Sequence, residues 1–128
     1  MTRFAVPGSS QIITLHDYLI GRHELQGLSK EKLLYAVLRR VQNRVRYGFI
    51  VDAYDLAACY SSFIVKGHCF NVANKRTAVA TLFFVLKANQ IEIQFKGHAL
   101  GEWIVAMVNN EKTETELAAW LRKLAHES

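Results

Sequence analysis

An all-α domain of six helices is what this sequence predicts. Apolar residues recur at helical spacing through most of the chain, and capping residues and stop residues bracket those stretches. The composition, 51% hydrophobic and 21% charged with seven Gly and one Pro, can bury a core around them and argues against disorder. At 128 residues, without an internal repeat or a low-complexity run, residues 1–128 read as one domain.

Taken in order, Ser9 and Ser10 can cap a first helix reaching about Gly21, with Ile12, Leu15, His16 and Leu19 on one face. Ser29 caps a second, to about Arg46, whose stripe is Leu33, Leu34, Val37, Leu38, Val41 and Val45. Lys32, Arg39 and Arg46 fall opposite, as a solvated face or a place for phosphates. Tyr47-Gly48-Phe49-Ile50-Val51 is β-rich and too short for a helix, so a short flap is expected there. Asp52 and Asp55 resemble the N-terminal cap of a third helix, carrying Leu56, Ala57, Tyr60, Phe63 and Ile64 and stopped by Gly67.

The fourth helix, from about Asn74 to Lys87 with Asn89 as its stop, is apolar on almost every side through Val79, Leu82, Phe83, Val85 and Leu86. Such a helix is expected to be surrounded, as one member of a buried central pair with the third. Ile91, Ile93 and Phe95 alternate with Glu92 and Gln94 as in a one-sided strand, the expected partner of the flap. Two further helices follow, with Leu100, Trp103, Ile104, Met107 and Val108 on one and Leu117, Trp120, Leu121 and Leu124 on the other. The second opens on the capping box Thr113-Glu114-Thr115-Glu116. Their Met and Trp residues read as core.

The apolar run 78–86 is about half the ~20 residues a membrane-spanning helix needs, and Met1-Thr2-Arg3-Phe4 has no apolar signal core. Neither membrane nor secretion is expected. Cys59 and Cys69 lie in apolar surroundings and form no C-x-x-C motif, so reduced, packed thiols in a cytoplasmic protein are expected. His16, His23, His98 and His126 are too scattered for a metal site. A net charge of +5 attracts anions: nucleic acid, nucleotide phosphates or an acidic protein segment.

The chemistry concentrates between the third and fourth helices. The first N–H groups of a helix lack partners and carry the positive dipole end, which makes an anion site. Asn74, Lys75 and Arg76 add donors and two cations in that first turn, where cations oppose the dipole unless an anion is present. Ala73 is small enough to let a phosphate approach, Phe70 anchors the loop in the core, and His68 is suited to accept a proton from a hydroxyl. On these residues alone, a phosphoryl or nucleotidyl transferase site and an ordinary solvated helix end both remain open.

The run His68-Cys69-Phe70-Asn71-Val72-Ala73-Asn74-Lys75-Arg76 resembles the Fic/Doc signature H-x-F-x-D-A/G-N-K-R, in the form typical of death-on-curing (Doc) toxins. Leu15-His16-Asp17, the Gly27 loop, residues 40–47 and Leu86-Lys87-Ala88-Asn89 extend the likeness over nearly the whole chain. The resemblance implies a Fic-type helical core and a toxin encoded beside a Phd-like antitoxin. Fic relatives generally transfer AMP from ATP to a hydroxyl; Doc toxins phosphorylate a threonine of elongation factor Tu and stop translation. Lys75, where Fic proteins carry Gly, is the Doc variant associated with kinase activity. By the same resemblance His68 activates the target hydroxyl, and Asn74, Lys75 and Arg76 hold ATP phosphates with Ala73 beside them. Lys66 takes the place of a phosphate-contacting arginine.

Two positions depart from the pattern. The acidic Mg²⁺ ligand expected at the fifth motif position is Val72, which offers no oxygen to a hard cation, and a second Fic arginine would fall at Val79. A catalytically degenerate Fic protein that binds an antitoxin as co-repressor is therefore the alternative, and AMP transfer a further one. Direct nucleic-acid binding through the basic second helix has the least support, because no recognised motif or aromatic cluster accompanies the charge.

Overall fold

The computed structural model describes residues 5–19, 31–67 and 74–127. Among these residues the chain forms six helices and no strand: α1 (Ser9–Leu19), α2 (Glu31–Arg46), α3 (Ala53–Gly67), α4 (Asn74–Ala88), α5 (Ala99–Val108) and α6 (Glu114–Glu127). The expected Ser29 cap, Gly27 loop and His23 lie outside the described residues.

Local signals start and stop these helices, with one correction at the first. Ser9 is already helical, and Gly8 is the cap: its carbonyl accepts the Ile12 N–H (3.2 Å) and its own N–H donates to Gln11 Oε1 (2.9 Å). At α3, Asp52 Oδ1 accepts the Asp55 N–H (2.9 Å) while Asp55 Oδ2 accepts the N–H of Val51 (3.2 Å). At α6 the box closes reciprocally: Thr113 Oγ1 accepts the Glu116 N–H and Glu116 Oε1 accepts the Thr113 N–H, both 3.1 Å.

Three helices end alike. After α2, Gly48 at φ +79° lets its N–H reach Val45 O and the Phe49 N–H reach Arg44 O, which satisfies two terminal carbonyls. Gln90 (φ 60°) after α4 and Asn110 (φ 60°) after α5 do the same without glycine. The stop of α4 is thus Gln90, while Asn89 ties down the N-terminal segment: its Oδ1 accepts the Ala5 N–H (3.0 Å) and its Nδ2 donates to Ala5 O (3.2 Å).

The β flap is not present. Residues 47–49 are used in closing α2, and the N–H groups of Phe49 and Val51 are taken by Arg44 O and Asp55 Oδ2, leaving too little edge for a ladder. Residues 91–95 do alternate, with Ile91, Ile93 and Phe95 against the core and Glu92 and Gln94 exposed, but no strand pairs with them.

Helix α3 is the centre. Leu56 through Ser62 are buried without interruption, and the helix packs most extensively on α4, then on α6, α2 and α5. The other half of the expected central pair is less enclosed. Helix α4 buries Thr77, Ala78, Thr81, Leu82, Val85 and Leu86 but leaves Phe83 44% exposed, because α1 and α5 flank it without closing over that side. Trp103 and Trp120 stack at 5.1 Å, with Phe95 bridging Trp120 to Phe83. Cys59 is buried and free, with its thiol pushed up to about 12 by burial, as an inert packing residue requires.

Candidate functional site

The chain leaves α3 at Gly67 and begins α4 at Asn74, so the polar run identified in the sequence occupies the junction of the two most tightly packed helices. His68, Phe70, Val72 and Ala73 lie outside the described residues, as does Cys69. Lys66 is exposed at the end of α3. Asn74 is half-buried and Lys75 and Arg76 are exposed in the first turn of α4, which contains no acidic residue. The next residues, Thr77 and Ala78, are fully buried and fix that turn to the core. Two cations therefore stand at the positive end of a helix, an arrangement the dipole opposes by ~0.3–1 kcal/mol per charge unless an anion offsets it.

Five polar side chains, Thr77 of this turn among them, are buried in the otherwise apolar core of the described residues. His16, Ser61, Ser62, Thr77 and Thr81 are all buried. Ser61 Oγ donates to Ala78 O (3.0 Å), joining α3 to α4, and His16 Nδ1 lies 3.1 Å from Asp17 Oδ1. The hydroxyls of Thr77 and Thr81 have no partner among the described residues.

In front of the turn opens a groove of about 770 Å³ between α4 and α5. Lys75 and Arg76 line it together with Val79, Ala80 and Phe83 of α4, Gly101, Glu102, Ile104, Val105 and Ala106 of α5, and His98 and Glu111 from the segments flanking α5. Lys66 does not line it. Sequence reasoning missed this groove, since Val79 and Phe83 share the apolar pattern of core residues and nothing local distinguishes an uncovered helix side from a covered one. Val79 lines the groove half-buried, exposed His98 lines it as well, and His16 is buried. Among the described residues no group of three or more His, Cys, Asp or Glu could hold a metal ion.

The residues present do not fit a Mg²⁺ held by the motif. The first turn of α4 has no carboxylate and position 72 is Val, so the donor set there is cationic and amide, suited to anion oxygens.

The sequence model described as the Fic/DOC family matches residues 7–86. Among curated proteins, the chain is 35% identical over 115 residues to the protein kinase Doc of Escherichia phage P1, covering 89% of this chain and 90% of that protein.

Proposed function

The chain belongs to the Fic/DOC family, and from that premise we propose that it is a Doc-like toxin that transfers a phosphoryl group from ATP to a threonine hydroxyl of elongation factor Tu, inhibiting translation. A Phd-like antitoxin is the partner in this reading. The observation that carries it is the run from His68 to Arg76, ending on the first turn of α4, in a chain 35% identical to a protein kinase along nine tenths of its length.

In this reading His68 accepts the proton of the target hydroxyl as its oxygen attacks the γ-phosphorus; the bond from that phosphorus to the bridging oxygen breaks and ADP leaves. The Asn74 amide, the Lys75 ammonium and the Arg76 guanidinium donate to phosphate oxygens, aided by the N–H groups of the first turn of α4. Ala73 admits the phosphate closely, Lys66 adds charge from the end of α3, and Phe70 anchors the loop. No step is assigned to a metal, because the residues at hand do not fit one.

Incubation with γ-labelled and α-labelled ATP and a cell extract tests the reading. Label from the γ position, on a threonine of elongation factor Tu, is the expected result, whereas α label marks AMP transfer. Val72 favours a second reading, a degenerate Fic protein that binds its antitoxin as co-repressor; it predicts label from neither nucleotide together with intact antitoxin binding.

A further inference from the structure

Among the side chains whose burial the structure describes, the three most exposed large hydrophobic ones all belong to one five-residue segment: Phe49 at 75%, Tyr47 at 67% and Val51 at 65%. Packing explains why the segment stays in place. Ile50, between them, is 6% exposed and belongs to the core, and hydrogen bonds fix both flanks, Phe49 N–H to Arg44 O and Val51 N–H to Asp55 Oδ2. Packing does not explain three large apolar side chains held outward on a rigid strap. The Ile50 backbone N–H and carbonyl also have no partner among the described residues.

The strap is remote from the phosphate turn. It precedes the start of α3, whereas the turn follows its end, and the 15 residues between them span about 22 Å of helix. Its electrostatic setting is predominantly positive, although Arg44 is already paired with the Glu114 carboxylate. From residue 32 to 51 the chain has five Lys and Arg and no carboxylate, and Arg39, Arg40 and Arg46 are exposed, Arg46 lying 5.8 Å over the Tyr47 ring. The adjacent carboxylates, Asp52 and Asp55, are both held by Arg122. Two copies meeting here would bring their Arg46 side chains together, and an apolar patch of a few hundred Å² falls short of the ~800 Å² per partner of a stable dimer.

We propose that residues 47–51 with Arg46 form a docking strap for a short acidic peptide segment of a partner protein, whose apolar side chains cover Tyr47, Phe49 and Val51 while its carboxylates meet the exposed α2 arginines, Arg39, Arg40 and Arg46. The surface is separate from the α4–α5 groove and from the phosphate turn, and it does not depend on the proposed kinase activity.

The test is a titration of the ¹⁵N-labelled full chain with a blocked peptide of sequence Glu-Val-Glu-Phe-Glu-Val-Glu, compared with its Lys-for-Glu counterpart and with a dodecamer of deoxythymidylate. The expected result is amide shifts confined to residues 46–51, affinity at least tenfold above that for the Lys peptide, and a tenfold or larger loss in both Phe49→Ser/Val51→Thr and Arg46→Glu. Equal binding of the two peptides, shifts confined to the α4–α5 groove, tighter binding of the oligonucleotide at the same amides, or concentration-dependent dimerisation lost in Phe49→Ser would each overturn it. Phe49 and Val51 are exposed, so the variants should retain the parent Tm, and ATP-induced shifts at Lys75 and Arg76 report the phosphate turn independently.

Discussion

Lys75 and Arg76 are poor choices for the opening turn of a helix in the absence of an anion, and that misfit makes them informative. Replacing either with Ala should weaken ATP binding about tenfold, the scale of one charge-assisted hydrogen bond, with little loss of Tm because both side chains are exposed. Isothermal titration with ATP checks this; unchanged affinity in both variants would leave the turn without a phosphate role. His68→Ala should abolish label transfer while ATP still binds, since it removes a proton acceptor and leaves the donors of the turn. A variant retaining full transfer would remove His68 from the mechanism. Val72→Asp carries the opposite sign: a carboxylate just ahead of α4 supplies the missing oxygen ligand and is favoured by the dipole by ~0.3–1 kcal/mol. Mg²⁺-ATP should then bind more tightly than ATP alone, with Tm held or raised. A lowered Tm without Mg²⁺ dependence would mark Val72 as packing and favour the partner-binding reading.

Each helix was legible in the sequence where its cap is local. The Thr113–Glu116 box and the Asp52–Asp55 pair lie within one turn, and both form as expected. Where a glycine and a serine pair compete for the cap of α1, or Asn89 and Gln90 for the end of α4, neighbouring residues are nearly equivalent and tertiary contacts choose; Asn89 is drawn away to Ala5. Helix α4 shows the limit of pattern reading. Its threonines look polar in sequence yet Thr77 and Thr81 are fully buried, while Phe83 looks like core and is half open. An unpartnered buried hydroxyl costs ~1–3 kcal/mol, so the isosteric change Thr81→Val should stabilise the protein by about 1 kcal/mol in urea melts. A destabilised variant would mean that the hydroxyl has a partner in solution.

At the scale of the molecule, a clamp 70 residues apart in sequence joins α6 to the start of α3. Arg122 donates from Nε to Asp52 Oδ2 (2.7 Å) and from Nη2 to Asp52 Oδ1 (3.1 Å) and Asp55 Oδ1 (2.5 Å). Burial opposes ionisation of Asp52, but the bonds from Arg122 and the Asp55 N–H outweigh it and hold the carboxyl below its usual range. With about a third of each side chain exposed, 33% for Arg122 and 34% for Asp52, Arg122→Ala should cost about 1 kcal/mol at pH 7, the upper end for such pairs. A carboxyl depressed on folding stabilises above its unfolded pKa of ~3.9 and ceases to as pH falls through the folded value, so parent and variant should converge in acid. Melts at pH 7 and below pH 4 check the sign; a gap that widens in acid would contradict it.

The sequence by itself determined the all-α class, the number of helices, most of their ends and the position of the motif run, because periodicity and capping are settled among residues within about four of one another. Only the tertiary structure decided that α3 is enclosed while α4 keeps one side open on a groove, that Arg122 closes on Asp52 and Asp55, and that residues 47–51 form an exposed strap instead of a β flap. Which side of an apolar helix is left uncovered depends on where helices distant in sequence come to rest, and an apolar side chain carries the same pattern whether or not another helix arrives to cover it.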